Sequence, residues 1–157
     1  MINKKFSRAV FAICLVFSFV KTANAQVSSL NTASATPEPW RPDELLAPAT
    51  LAAQLKAGDS HAVILNIGRV EDIGNAKHIG QVSQKENMEK LTKEVSPLPR
   101  NTELVIYCGC CPFPKCPNIR PAFQELKRLG FTNIKVLNLP NNLETNWIKE
   151  GYPMAGK

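Results

Sequence analysis

The chain has 157 residues, of which 44% are hydrophobic and 20% charged, and its formal net charge is +6. This length suffices for one domain with a buried core, but not comfortably for two. The basic residues form no block and no patch interleaved with aromatic residues, which argues against a nucleic-acid partner.

The first 25 residues have the pattern of a secretory signal peptide. Three basic residues precede an apolar stretch at 9–20, and small residues at 23–25 precede the expected cleavage site. The apolar stretch is shorter than the ~20 residues that span a bilayer. We therefore expect cleavage before Gln26, loss of Cys14 with the peptide, and an exported, periplasmic protein that keeps no stable membrane anchor.

The predicted cleavage changes the charge balance. The segment 1–25 holds four of the nineteen basic residues and none of the thirteen acidic ones. Fifteen basic residues then remain beside thirteen acidic ones, and the net charge falls to +2.

Residues 26–47 are rich in Ser, Thr, Ala and Pro and are predicted to form a tether whose Trp40 docks on the domain. Residues 48–157 are predicted to form that domain.

Short apolar runs then alternate with stretches of helical periodicity. The predicted helices cover about 51–57, 88–95, 119–129 and 143–149, and the predicted strands cover 62–65, 104–107 and 134–137. Asn118 and Gly130 stand where they would cap the third helix. Strands that are apolar throughout are typical of parallel sheets, so the alternation predicts an α/β domain with a central, mainly parallel sheet and helices on both faces.

Four of the five cysteines lie within nine residues, between the strand at 104–107 and the helix that begins near 119. They are Cys108, Cys110, Cys111 and Cys116. Ligands of parallel sheets bind at the carboxyl ends of the strands, where this loop falls. The unpaired N–H groups of a helix N-terminus favour a thiolate, which is the reactive form of cysteine. The loop is therefore predicted to carry sulfur chemistry.

Four segments within residues 43–154 form a further pattern. They are His78-Ile79-Gly80, Val105-Ile106-Tyr107-Cys108, Leu129-Gly130-Phe131-Thr132-Asn133-Ile134 with Val136-Leu137, and Trp147-Ile148-Lys149-Glu150-Gly151-Tyr152-Pro153. In their order and spacing these segments resemble the rhodanese-like sulfurtransferase domains. The resemblance implies a single rhodanese-like domain and a catalytic cysteine after the central strand, here Cys108. That cysteine would take a sulfane sulfur from a donor such as thiosulfate and hold it as a persulfide.

The resemblance implies a sulfur donor and an acceptor as partners, and the oxidising periplasm adds a reductant. We expect a small sulfur-donor anion and an acceptor thiol, with an exported thiol reductant as a further partner, and we expect no cofactor and no resident metal. Backbone N–H groups of the loop and a helix dipole would support the negative sulfur. The candidate loop and anion-binding residues are Gly109, Phe113, Lys115 and Arg120.

The chain departs from the family pattern within the loop. Counting back from the helix that ends at Gly130, the loop is about five residues longer than usual, and the family's arginine would fall near Asn118. Three prolines in the loop lack an N–H to donate, and Lys115 could supply the missing positive charge. The family's Asp-x-Arg after the first strand is here Asn66-Ile67-Gly68.

A second register makes Cys110 the nucleophile, because the residues from Cys110 to Cys116 reproduce a Cys-x4-basic-small loop. We favour Cys108, since it directly follows the strand. In that register Cys110, Cys111 and Cys116 are candidates for a resolving thiol. A resolving thiol would displace the sulfur from Cys108 and form a disulfide, which the exported reductant would reset.

Three other hypotheses remain open for the cysteine cluster. It could form structural disulfides, act as a thiol–disulfide redox module, or belong to a non-catalytic module that binds a partner or a soft metal ion. Adjacent cysteines such as Cys110 and Cys111 cannot bridge without strain, which weakens the first hypothesis. The two Cys-x2-Cys pairs of familiar zinc sites are absent, because only Cys108 and Cys111 have that spacing, and this weakens the metal hypothesis.

Overall fold

The apolar runs of the sequence form a five-stranded parallel sheet in the computed structural model, which describes residues 38–156. The strands and helices, in chain order, are β1 (Leu45–Leu46), α1 (Pro48–Ala57), β2 (Val63–Asn66), β3 (Lys77–His78), α2 (Lys85–Val95), β4 (Leu104–Tyr107), α3 (Ile119–Arg128), β5 (Ile134–Leu137) and a π-helix (Glu144–Ile148). The order across the sheet is β1-β5-β4-β2-β3, and every pairing is parallel. β4 therefore lies at the centre.

The two faces of the sheet bury different helices. On one face Leu104 and Ile106 of β4 pack into a cluster with residues of α2 and α3. On the other face Val105 and Tyr107 pack with residues of α1 and of the π-helix. Alternate residues of a strand point to opposite faces, so a strand covered on both sides must be apolar throughout. The predicted α/β class, parallel sheet and two helical layers are confirmed.

The domain begins before residue 48, because residues of the predicted tether join the sheet and the core. Leu45–Leu46 pairs with Val136 and Leu137 of β5. Trp40 docks as predicted: it is buried, and its ring centroid lies 5.9 Å from that of Phe123 in α3. The predicted signal peptide and residues 26–37 of the tether lie outside the described residues.

Three local expectations are wrong or incomplete. The helix predicted at 143–149 is a π-helix, in which the Lys149 N–H bonds the Glu144 carbonyl five residues earlier. The two-residue strands β1 and β3 were not predicted, since two residues carry no periodicity. Asn118 precedes α3 but makes no side-chain capping bond. Within residues 38–156, no helix combines the length and apolarity needed to cross a membrane.

The register of the central strands determines which residues meet at the carboxyl edge of the sheet. Asn66 is paired with Tyr107, so β2 and β4 end at the same level. The Ile67 N–H donates to the Tyr107 carbonyl at 2.9 Å and extends the pairing by one step. The segment after β2 consequently lies against the first residue of the cysteine loop.

Candidate functional site

The cysteine loop is an eleven-residue connection, 108–118, between the end of β4 and the start of α3. Two backbone hydrogen bonds attach it to the chain beyond β5: the Phe113 N–H donates to the Leu139 carbonyl at 3.2 Å, and the Leu143 N–H donates to the Gly109 carbonyl at 2.8 Å. A 3₁₀ turn at Phe113–Lys115 reverses the loop. These attachments return Cys116 to the neighbourhood of Cys108.

Three of the four loop thiols form one cluster. The sulfur atoms of Cys108, Cys110 and Cys116 lie within 4.8 Å of one another, and those of Cys108 and Cys110 are 3.3 Å apart. Cys111 stands at the margin, with its sulfur 3.6 Å from that of Cys110. All four cysteines are free thiols.

The cluster holds one buried thiol of low pKa. Cys108 is only 2% exposed. The neighbouring Cys116 thiol contributes most to lowering the pKa of Cys108 to about 5; the Asn118 amide and the thiol and N–H of Cys110 lower it further, and burial opposes them. Hydrogen bonds that stabilise the charged form lower a pKa. These contacts therefore favour the thiolate form of Cys108 at neutral pH.

The two neighbouring thiols retain their protons. Burial, and then the adjacent Cys108 thiolate, raise the pKa of Cys110 to about 12. The Cys108 thiolate and burial also raise the pKa of Cys116, although the N–H groups of Asn118 and Ile119 at the start of α3 act against this. The helix N-terminus thus supports the Cys116 sulfur, while the loop and the Asn118 amide support the Cys108 sulfur.

Asn118 is a site residue that the sequence analysis placed only as a helix cap. It is fully buried, its Nδ2 donates to the Cys108 sulfur at 3.3 Å, and its Oδ1 accepts from the Ser83 N–H at 3.0 Å. Because the Ser83 contact fixes which end of the amide faces the sulfur, Asn118 presents a donor to Cys108. One sign of this role was present in the sequence: counting back from Gly130 places the family's arginine near Asn118.

Gly68 is a second residue that sequence reasoning missed. A β-carbon at position 68 would lie 2.3 Å from the Cys108 carbonyl oxygen and 2.9 Å from its sulfur. The Gly68 N–H donates to the Oδ1 of Asn66 at 3.0 Å, and the Asn66 Nδ2 donates to the Val70 carbonyl at 2.7 Å. Asn66, which replaces the family's aspartate, thus holds the segment after β2 against Cys108.

A cleft of about 470 Å³ borders the cluster at Cys110. Cys110 is exposed and lines this cleft, whereas Cys108 and Cys116 are buried and do not line it. Its lining also contains the charged residues Arg69, Glu71 and Glu144. A molecule in the cleft therefore meets the Cys110 thiol first.

The cations predicted to bind an anion lie elsewhere. Arg120 donates to Glu38 at 2.7 Å and to the Pro114 carbonyl at 3.4 Å, and its guanidinium lies 5.4 Å from the centre of the Trp40 ring. Lys115 is exposed, and neither residue lines the cleft. Of the other predicted loop residues, Gly109 lines the cleft and Phe113 packs 5.8 Å from the Trp40 ring.

The three clustered sulfur atoms also have the softness and spacing to share a metal ion. The four-thiol set considered from the sequence is reduced to three, because Cys111 lies outside the cluster. A closed structural zinc site takes four protein ligands. The arrangement therefore fits a reactive thiolate with two proton-bearing neighbours better than a closed metal site.

Comparison with solved structures identifies the fold. The rhodanese-like domain of the Alr3790 protein from Anabaena sp. superposes with a TM-score of 0.52 at 19% identity, over 73% of this chain and 80% of that one. The fold is that of a rhodanese-like domain. The BH2092 protein from Bacillus halodurans superposes with a TM-score of 0.51 at 18% identity, over 69% of this chain and 73% of that one.

At these identities the likeness is one of fold. No protein-family model matches the sequence, and no curated protein matches it. The cysteine loop follows the central strand of this rhodanese-like fold, and its chemistry has to be argued from the thiols themselves.

We predict that Cys108 reacts as a thiolate with a midpoint near pH 5. Its alkylation rate by iodoacetamide, followed by peptide mass spectrometry, should be level at neutral pH and fall as the pH drops through that midpoint. Asn118→Asp keeps an oxygen for the Ser83 N–H but replaces the donor to Cys108 with a carboxylate. It should raise the midpoint by about one unit or more.

Asn101→Asp is the control for charge, because it makes the same change in an exposed residue before β4, at the opposite edge of the sheet. If the pH midpoint of Cys108 alkylation in Asn118→Asp equalled that of the wild type and of Asn101→Asp, the role of the Asn118 amide would be contradicted.

Gly68→Ala should both destabilise the protein and slow the alkylation of Cys108, since the new methyl group overlaps the Cys108 backbone and sulfur. Overpacking of this kind costs about 1–3 kcal/mol. Gly74→Ala is the matched control, because the nearest atom to its β-carbon, in Pro153, is 3.4 Å away. Equal urea midpoints for the two variants would show that the close approach at Gly68 is not a constraint.

Proposed function

We propose that this protein is a sulfurtransferase or sulfane-sulfur carrier that holds sulfur as a persulfide on Cys108. The observation that carries the proposal is the state of Cys108: a buried thiolate at the carboxyl end of the central strand, with its pKa lowered to about 5. A thiolate that persists at neutral pH is the form that attacks sulfur. The predicted signal peptide would place this activity outside the cytoplasm.

The loading step is a displacement at sulfur. The Cys108 thiolate attacks the outer sulfur of a donor such as thiosulfate, and a new S–S bond forms at Cys108. The S–S bond of thiosulfate breaks, and sulfite departs with its electron pair. One negative charge is then carried by the outer sulfur of the persulfide, and no external oxidant or reductant is consumed.

The surroundings of Cys108 suit a negative sulfur both in the thiolate and in the persulfide. The Asn118 amide and the proton-bearing thiols of Cys110 and Cys116 supply donors around one position. Charge-assisted hydrogen bonds of this kind are stronger than neutral ones. Burial keeps water away and so slows hydrolysis or oxidation of the persulfide. An acceptor thiolate or cyanide would attack the outer sulfur and regenerate the Cys108 thiolate.

A thiol–disulfide redox module is the second candidate, and the 3.3 Å separation of the Cys108 and Cys110 sulfurs favours it. The Cys108 thiolate and the Cys110 thiol would form a disulfide by passing two electrons and one proton to an oxidised disulfide partner, which leaves as one thiol and one thiolate. Gly109 between them adopts a φ of +73°, so a side chain at this position would be strained. The resulting ring is small, and a strained disulfide is an oxidising one.

Intact mass before and after thiosulfate exposure tests the proposal. The wild-type protein should gain one sulfur atom that cyanide removes as thiocyanate. Cys108→Ser should gain none, because the only thiolate of the cluster is lost. Cys111→Ser should load like the wild type, since that thiol stands outside the cluster.

The other outcomes separate the alternatives. No gain of sulfur together with a mass lower by two hydrogens, reversible in a glutathione titration, would favour the redox module. A metal adduct present only in the native spectrum, without sulfur uptake, would favour a binding module. Loading that persists in Cys108→Ser would move the persulfide to another cysteine.

A further inference from the structure

Two neighbouring thiols of the cluster, Cys108 and Cys110, differ sharply in access. Cys108 is 2% exposed, whereas Cys110 is exposed and lines the cleft of about 470 Å³. Cys116, the third member, is as buried as Cys108. A small ion needs little room to reach a buried sulfur, but an acceptor with the bulk of a peptide can touch only Cys110.

We propose that Cys110 is the transfer thiol, which takes the sulfane sulfur from Cys108 and delivers it to a peptide thiol seated in the cleft. This inference rests on the proposed function, in which Cys108 holds the sulfur as a persulfide. It divides the reaction between a buried storage site and an exposed delivery site.

The distances allow direct transfer between the two sulfurs. The sulfur atoms of Cys108 and Cys110 are 3.3 Å apart, and an added sulfur would extend about 2 Å from Cys108. The added sulfur therefore lies within reach of Cys110, and rotation of the two cysteine side chains would bring the three sulfurs into the line that displacement at sulfur requires. Gly109 keeps the two cysteines in this arrangement through its left-handed φ and through the bond from the Leu143 N–H to its carbonyl.

The transfer step balances without an external oxidant or reductant. Cys110 gives up its proton to water and attacks the outer sulfur of the Cys108 persulfide. The new S–S bond forms at Cys110, the bond to Cys108 breaks, and Cys108 leaves as its thiolate. The acceptor thiolate then attacks the outer sulfur on Cys110 and departs as its own persulfide, and Cys110 takes back a proton.

The acidity of the two thiols gives the step its direction. Exchange is faster when the leaving thiol has a low pKa, and a thiolate of high pKa is the stronger nucleophile, although less of it is present at neutral pH. The pKa of Cys108 is lowered to about 5, while that of Cys110 is raised to about 12. Cys108 is thus the better leaving group and Cys110, once deprotonated, the better attacking group.

The lining of the cleft indicates the class of acceptor. One cation, Arg69, stands with two carboxylates, Glu71 and Glu144, and the remaining lining includes Val70, Leu143 and Ile148. A peptide thiol can offer a carboxylate to Arg69 and an ammonium group to a glutamate. The volume falls in the range of about 300–1,000 Å³ that is usual for small-molecule sites.

The test compares a small acceptor with a bulky one, cyanide and reduced glutathione, in the thiosulfate-loaded wild type and Cys110→Ser. Because position 110 is exposed, the serine should leave the fold intact. Cys110→Ser should load one sulfur and lose it to cyanide, and its rate of discharge to glutathione relative to cyanide should fall about tenfold or more below the wild-type ratio. Cys111→Ser is the matched control and should discharge normally to both acceptors.

A second measurement locates the sulfur directly. After alkylation of the loaded proteins, peptide mass spectrometry should find part of the extra sulfur on Cys110 in the wild type and all of it on Cys108 in Cys110→Ser. Discharge of Cys110→Ser to glutathione at the wild-type rate, with no sulfur found on Cys110 in the wild type, would overturn the transfer step alone. Failure of the wild type to load from both thiosulfate and inorganic polysulfide would overturn the proposed function, and the transfer step with it.

Discussion

The parallel pairing of β2 with β4 is the constraint on which the site depends. The pairing of Asn66 with Tyr107 ends both strands at one level, and the next residues continue the contact. Gly68 then lies so close to Cys108 that no side chain fits. Asn66, held by its own hydrogen bonds, keeps that segment in place. The first cysteine of the loop is therefore enclosed by a rigid edge of the sheet.

Enclosure would normally raise the pKa of a thiol, because burial disfavours the charged form. The pKa of Cys108 is lowered instead, because two neighbouring thiols and the Asn118 amide donate hydrogen bonds to its sulfur. The same arrangement raises the pKa of Cys110 and Cys116, so the cluster carries one negative charge and two protons. A single charge shared among three sulfurs is well suited to holding a persulfide and to passing it to a neighbour.

Much of the architecture could be predicted from the sequence, because the central strand β4 is buried on both faces and is apolar throughout. The position of Cys108 followed from the end of such a strand. Local patterns could not reveal the role of Asn118, which depends on a bond to Ser83 that is 35 residues distant in sequence. Nor could they show that Arg120 is engaged by Glu38, which removes it from the cleft. The difference in exposure between Cys108 and Cys110 likewise arises only from the folded loop.

The most direct measurement of the central claim is a crystal structure of the thiosulfate-treated Cys110→Ser protein, in which Cys108 and Cys116 are the remaining buried thiols. The account predicts electron density for one added atom about 2.05 Å from the Cys108 sulfur, within hydrogen-bonding distance of the Asn118 amide. An unmodified Cys108, a Cys108–Cys116 disulfide, or an ion shared by the cysteine sulfurs would contradict it.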